Sequence, residues 1–160
     1  MEVFTVSLFG HRKIDDLRCL WNQLTPFVRK LIETKPYVSF MIGRNGDFDE
    51  YAASIVKQLQ KNVGKENSDI TLVLAYEVAG IEYYEKYYDA IIIPQSVYNV
   101  HPKLAIPLKN RWMIEKSDVV IVYVKRDNGG AYQAMKYAKK IGKKVINIYE
   151  KEFLTLSSTE

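Results

Sequence analysis

Apolar residues change their spacing along the chain, and each change predicts where one structural element ends and the next begins. Residues 119–124 form a nearly unbroken β-branched run, which is typical of a strand covered on both faces of a parallel sheet. Gly129 and Gly130 interrupt this run. Helical spacing then relates four apolar residues, Ala131, Met135, Ala138 and Ile141. The segment therefore predicts a strand, a tight polar loop and an amphipathic helix.

The rest of the chain repeats this alternation. Further strands are predicted at 2–9, 37–42, 70–75, 90–93 and 145–149, and other helices begin near residues 17, 47 and 105. Pro26 would kink or interrupt the first helix. Alternating strands and helices predict an α/β fold, a Rossmann-like three-layer sandwich with a mostly parallel sheet flanked by helices. One domain is expected over residues 1–152, with a short tail at 153–160.

Three polar loops that contain glycine follow the first, second and fifth strands, at residues 10–12, 43–47 and 128–130. Ligands of open parallel sheets bind beyond the carboxyl ends of the strands, so these loops predict a ligand site there. The loop at 128–130 precedes a helix, where free backbone N–H groups favour an anion such as phosphate. A tight turn that binds nothing is the alternative for this loop taken alone.

Composition and charge narrow the function classes. The chain has 160 residues, 48% of them hydrophobic and 26% charged, as expected for a soluble globular domain. No apolar run approaches the ~20 residues of a membrane span, and no signal peptide is recognisable, so a cytoplasmic protein without membrane contact is expected. Cys19 is the single cysteine, and no ligand-spaced cluster predicts a metal site; no cofactor is expected. The net charge of +4 permits nucleic-acid binding only weakly, so nucleic acid is expected to be an unlikely partner.

Three segments carry a family resemblance, FGHRKI at 9–14, GRNGDFDEYA at 43–52 and the stretch 109–148. On these segments the chain resembles the SLOG superfamily, which includes the LOG proteins, the DNA-processing protein A domain and the YpsA-like proteins. It is most similar to the small YpsA-like branch common in Firmicutes. The resemblance implies a Rossmann-like fold that binds a nucleotide or nucleotide-derived ligand, and a homodimer is possible because relatives often dimerise.

The resemblance also implies which residues would line the ligand. These are Gly10, His11, Arg12, Gly43, Gly46, Asp47, Asp49, Arg111, Gly129 and Gly130.

Five of these residues have an alternative role that the sequence leaves open. His11 fits structural packing at least as well as ligand binding. Asp47 and Asp49 could cap a helix instead of binding ribose hydroxyls. Arg12 and Arg111 could form salt bridges instead of binding phosphate.

One departure from the LOG pattern bears on catalysis. LOG enzymes carry a threonine and then acidic residues after the glycines. In this chain Ala131 stands at the threonine position, and Gln133 and Ala134 stand at the acidic positions. The departure counts against LOG-type hydrolysis, because no carboxylate remains there to assist cleavage of a glycosidic bond. The remaining candidates for a catalytic carboxylate are Asp47, Asp49 and Glu50, and whether the chain is an enzyme stays open.

Three functions follow, in order of expectation. The first is binding or sensing of a nucleotide-like small molecule at the strand ends. The second is an enzyme acting on an N-glycosidic bond, either a nucleotide hydrolase or a deoxyribosyl transferase. The third is a nucleic-acid-binding domain, by analogy with the DNA-processing relative.

The tyrosines of segment 83–88, which could form a short helix, would either stack on a base or close a core edge or dimer contact.

Overall fold

The computed structural model describes residues 2–64 and 66–149. The predicted tail at 153–160 and the last residues of the predicted domain lie outside this range. Strands occupy β1 (Phe4–Gly10), β2 (Val38–Ile42), β3 (Ser68–Val73), β4 (Ala90–Ile92), β5 (Val119–Tyr123) and β6 (Lys144–Asn147). Helices occupy α1 (Leu17–Thr34), α2 (Asp47–Val63), α3 (Ile81–Tyr87), α4 (Pro102–Lys116) and α5 (Gly130–Lys140).

The six strands form one parallel sheet in the order β4-β3-β2-β1-β5-β6. The chain first winds outward from β1 through β2 to β4 and then returns to the other side of β1 with β5. Side chains of α1 and α2 pack on one face of the sheet, and those of α4 and α5 pack on the other. This arrangement confirms the predicted Rossmann-like three-layer α/β fold, and it places the topological switch point between β1 and β5.

The central strand β5 shows why both faces are covered. Val119 and Ile121 belong to the core under α1 and α2, whereas Val120 and Val122 belong to the core under α4 and α5. Successive side chains of a strand point to opposite faces, so an unbroken β-branched run supplies both cores at once.

Three local expectations need adjustment. Helix α4 begins at Pro102, three residues before the predicted start, because proline suits the first helical position and His101 Nδ1 accepts a hydrogen bond from the Lys103 N–H (3.1 Å). Pro26 lies inside a continuous α1 and does not interrupt it. Ile141 was predicted to face inward but is 40% exposed, since α5 ends one residue earlier.

No helix in the described ranges is both long and apolar enough to cross a membrane.

The first turn of α2 lies directly on the end of β1. Phe48 is fully buried there, and its ring stacks on Tyr123 with the centroids 6.4 Å apart. A Cβ atom added to Gly10 would come within 2.1 Å of Phe48 Cγ. Gly10 is therefore required by the close approach of helix to strand.

We expect Gly10→Ala to lower the free energy of unfolding by about 1–3 kcal/mol, the usual cost of overpacking a tight core. Urea denaturation measures the change. Gly130→Ala is the matched control, because an added Cβ meets open space there. Equal stability of the two variants would contradict the predicted clash.

Candidate functional site

The loops after β1 and β2 are locked together at the carboxyl edge of the sheet. The Arg12 carbonyl accepts a hydrogen bond from the Asp47 N–H (2.7 Å), and Asp47 Oδ2 accepts one from the Ile14 N–H (3.1 Å). A Cβ atom on Gly46 would lie 2.6 Å from Arg12 Cα. One oxygen of Asp47 is thus engaged in holding the two loops, and Gly46 gives Arg12 the space to approach.

His11 joins the loop after β1 to the loop after β5 across the switch point. Its side chain is buried, and Nε2 accepts hydrogen bonds from the backbone N–H groups of Lys125 (2.8 Å) and Arg126 (3.1 Å). Both bonds require an unprotonated Nε2. Burial lowers the pKa of His11, and the charges of Arg126 and Lys125 lower it further. His11 is therefore neutral and fixes the position of the β5 loop.

Asp49 and Lys109 form a buried charge pair beside Gly43. Lys109 is 1% exposed and Asp49 is 8% exposed. A Cβ atom on Gly43 would lie 2.6 Å from Lys109 Nζ and 3.2 Å from Asp49 Oδ2, so both charged groups lie against this glycine. Asp49 Oδ2 also accepts a hydrogen bond from the Asn45 N–H (2.8 Å).

Burial opposes the charge on both partners of this pair. Burial raises the pKa of Asp49, and Lys109 and the Asn45 N–H oppose this rise. Burial also lowers the pKa of Lys109 to about 8, against the effect of Asp49. Each charge is tolerated because the other is present, and the pair ties α4 to the end of β2.

Lys109 is missing from the residues expected at the site, although the sequence carries a signal for it. Lys109 and Met113 are four residues apart, so they share a face of α4, and an apolar residue such as Met113 marks the inward face of a helix. A lysine on the inward face of a helix needs a buried partner.

The predicted glycines differ in their surroundings. Gly10, Gly43 and Gly46 are approached by protein atoms, as described above. At Gly129 and Gly130, no atom of the described residues comes within 4 Å of an added Cβ apart from the chain neighbours and the helix backbone. Gly129 is the N-cap residue of α5, which starts at Gly130; it has φ of +93° and carries no side chain to accept a hydrogen bond from the helix.

Arg111 is exposed on α4, away from the loops after β1 and β2. Its guanidinium carbon lies 5.0 Å from the centroid of the Tyr137 ring on α5. Arg111 and Gly130 line the same groove between α4 and α5, which has a volume of about 440 Å³.

The predicted site residues are thus distributed among separate cavities instead of a single one. A second cavity, of about 370 Å³, is separate from the α4–α5 groove and lies between the loops after β1 and β5. It is lined by His11, Lys13, Lys125 and Arg126 among others. A cleft of about 570 Å³ lies between α2 and α3 and includes Gly43, Gly46 and Asp47 in its lining. Within residues 2–64 and 66–149, no cluster of three His, Cys, Asp or Glu side chains is placed to hold a metal ion.

The three candidate catalytic carboxylates also differ in accessibility. Asp49 is buried in the charge pair, and Asp47 is half-buried with one oxygen bonded to the Ile14 N–H. Glu50 is exposed and lines the α2–α3 cleft. Of the three, Glu50 is the one whose side chain is presented to solvent.

We expect His11 to make stability depend on pH near neutrality. Its folded pKa is lowered, so the unfolded chain binds the proton more strongly. The stabilisation is therefore present above the unfolded pKa of about 6.5 and is lost as the pH falls below it. His11→Gln keeps an acceptor near Nε2 and does not titrate. The free energy of unfolding of the wild type relative to His11→Gln should fall between pH 7.5 and pH 5. A pH-independent difference would refute the assigned role.

We expect Lys109→Met to lower the free energy of unfolding by about 3–5 kcal/mol, because Asp49 would be left as an uncompensated buried charge. Asp49→Asn alone should also lower the free energy of unfolding. The double variant Asp49→Asn, Lys109→Met should lower it by much less than the sum of the losses in the two single variants. Urea midpoints at pH 7 give all three values. Additive losses would show that the two side chains do not interact.

Neither a protein-family model nor a curated protein sequence matches the chain. Two solved structures, however, superpose on the chain. DNA processing protein A from Streptococcus pneumoniae superposes with a TM-score of 0.65 at 15% sequence identity, covering 89% of this chain and 49% of that one. DNA processing protein A from Helicobacter pylori, whose structure was described for its single-stranded DNA binding mode, superposes with a TM-score of 0.61 at 15% identity, covering 89% of this chain and 63% of that one. The chain thus spans about half to three fifths of the length of these proteins.

These neighbours correct two expectations from the sequence. A nucleotide-like small molecule was ranked first as the ligand, and nucleic acid was expected to be an unlikely partner. Both expectations are wrong on this comparison, because two solved proteins that share the fold are DNA processing proteins, one of them with a described single-stranded DNA binding mode. The parallel sheet order and these superpositions together show that the chain has a SLOG-like Rossmann-like fold.

Proposed function

We propose that the chain binds single-stranded DNA along the carboxyl edge of its sheet. The observation that carries the proposal is a row of exposed basic side chains in three neighbouring loops. We name this set the basic row: Arg12, Lys13, Arg44, Lys125 and Arg126. Contacts to phosphates supply most of the affinity of proteins for nucleic acid, and they require cations along the path of the backbone.

The sheet order places these cations side by side. Strands β2, β1 and β5 are adjacent, so Arg44 follows the first of them, Arg12 and Lys13 the second, and Lys125 and Arg126 the third. Two strand spacings of about 4.8 Å give a row about 10 Å wide, enough for two neighbouring phosphates of an extended strand.

The backbones of Arg12, Lys125 and Arg126 are held in place, while their side chains face solvent. The Asp47 N–H bonds to the Arg12 carbonyl, and His11 holds the backbones of Lys125 and Arg126. Binding would therefore require ordering of side chains without rearrangement of the loops, which lowers its entropic cost.

Acidic side chains also lie at this edge and moderate its charge. Asp15, Asp16, Glu50 and Asp127 are exposed there, and one carboxylate oxygen of Asp16 accepts a hydrogen bond from the Cys19 N–H (3.0 Å) at the start of α1. The proposed binding is consequently moderate in strength and sensitive to salt.

The similarity of fold to DNA processing protein A supports the proposal, since one such protein has a described single-stranded DNA binding mode. Placement in the YpsA-like branch and assembly as a homodimer stay predictions of the sequence.

We expect the logarithm of the affinity for a labelled oligothymidine to fall with the logarithm of the salt concentration. Arg126→Gln should weaken binding and reduce the steepness of that slope by about 0.7, the value for one phosphate contact of a single strand. Fluorescence anisotropy over a series of NaCl concentrations gives both quantities. Arg29→Gln is the matched control, because Arg29 is an exposed arginine in the second half of α1, far from the basic row.

Two outcomes would oppose the proposal. Absence of binding by the wild type at low salt would refute it. A loss of affinity in Arg29→Gln as large as that in Arg126→Gln would show that net charge alone, without the basic row, accounts for the binding.

A further inference from the structure

The cleft between α2 and α3 is lined by four tyrosine rings, one of them exposed and the others half-buried. Helix α3 carries Tyr83, Tyr84 and Tyr87, and Tyr88 follows it, yet none of the helix residues is buried. Tyr83 is 69% exposed. Tyr84 is half-buried, and Tyr87 and Tyr88 are half-buried and pack against the main core. Tyr83 and the accessible side of Tyr84 are therefore the rings available to a ligand.

The rings are held in a defined arrangement. The Tyr83 and Tyr87 rings are nearly parallel, 11° apart in plane, with centroids 6.5 Å apart, and the Tyr84 ring meets Tyr83 edge to face at 5.3 Å. The Lys57 ammonium lies 4.3 Å from the Tyr87 centroid and donates a hydrogen bond to the Tyr87 carbonyl (2.6 Å). The aromatic wall is thus partly ordered before any ligand binds.

Arg44 connects this wall to the basic row. Its Nε donates a hydrogen bond to Tyr84 Oη (3.1 Å), and its guanidinium carbon lies 5.5 Å from the Tyr84 centroid. A strand whose phosphates contact Arg12 and Arg44 therefore passes the mouth of the cleft.

The opposite wall determines which part of a strand fits. Asp47 and Glu50 contribute carboxylates to the cleft. The pKa of Tyr87 is raised by burial and by Tyr83, lowered by a hydrogen bond with Ser54, and raised further by the charge of Glu50. The Glu50 carboxylate therefore acts electrostatically on the aromatic wall. A phosphate would be repelled by these carboxylates, whereas an uncharged, flat base has aromatic faces to stack on.

We infer that the cleft lined by Tyr83, Tyr84 and Arg44 holds an unstacked base of the bound strand, while the phosphates follow the basic row. The inference rests on the proposed binding of single-stranded DNA and adds the subsite that selects single strands. A base in a duplex is paired and stacked, so it cannot enter the cleft. Binding should therefore favour single strands over duplexes of the same sequence and length.

The test uses the full chain, a labelled single-stranded oligonucleotide and the same oligonucleotide with abasic positions. Tyr83→Ala should weaken binding of the intact oligonucleotide roughly 5- to 150-fold, the range for loss of base–aromatic stacking. Tyr83→Phe keeps the ring and should bind as the wild type does. With the abasic oligonucleotide, the wild type and Tyr83→Ala should bind equally. Because Tyr83 is largely exposed, its substitution leaves the fold intact, which far-ultraviolet circular dichroism checks.

The possible outcomes separate the subsite from the function. Wild-type binding that Tyr83→Ala leaves unchanged, or reduces equally for intact and abasic strands, overturns the subsite and leaves the proposed function standing. No binding by the wild type removes both. The cleft could instead hold a second copy of the chain, which sedimentation of the wild type and of Tyr83→Ala tests. A wild-type dimer that Tyr83→Ala dissociates would make the cleft a contact between two copies and would overturn the inference.

Discussion

The end of β1 lies so close to its neighbours that almost no side-chain volume is available there, and the carboxyl edge of the sheet depends on this. Phe48 occupies the space where a Cβ of Gly10 would be, and Arg12 approaches Gly46 in the same way. His11, which lies between Gly10 and Arg12 in the sequence, accepts two hydrogen bonds from the backbone after β5. Three strand ends are consequently held in one rigid edge, on which exposed charges keep fixed relative positions.

A second constraint acts inside the protein at the same edge. The Asp49 and Lys109 side chains are both buried next to Gly43, and neither charge is stable there without the other. Because Lys109 comes from α4 and Asp49 from α2, the pair connects the helical layers on the two faces of the sheet. The edge is therefore held by close packing on one side of β1 and by paired charges at the end of β2.

The sequence predicts most of the fold, because alternation of apolar runs depends on local periodicity. The β-branched run of β5 is one example, and the acidic start of α2 is another. The roles of single residues at the site depend on which atoms approach them from distant parts of the chain, and periodicity does not contain that information. Gly10 and Gly129 look equivalent in the sequence, yet one contacts a phenylalanine ring and the other faces open space. The ligand class was also misjudged, because the resemblance spans both nucleotide-binding and DNA-processing proteins.

The two walls of the α2–α3 cleft differ in how firmly they belong to the protein. Helix α2 contributes fully buried residues to the main core, whereas α3 contributes only the partly buried Tyr87 and adjoins β4, a three-residue strand at the edge of the sheet. Local opening costs least where few apolar contacts are broken, so α3 belongs to the least protected part of the fold. Its amide hydrogens will exchange with solvent through small fluctuations that leave the central strands closed. The rings of the α3 wall are thus ordered while the helix is closed, and this wall is expected to open at a lower cost than the α2 wall does.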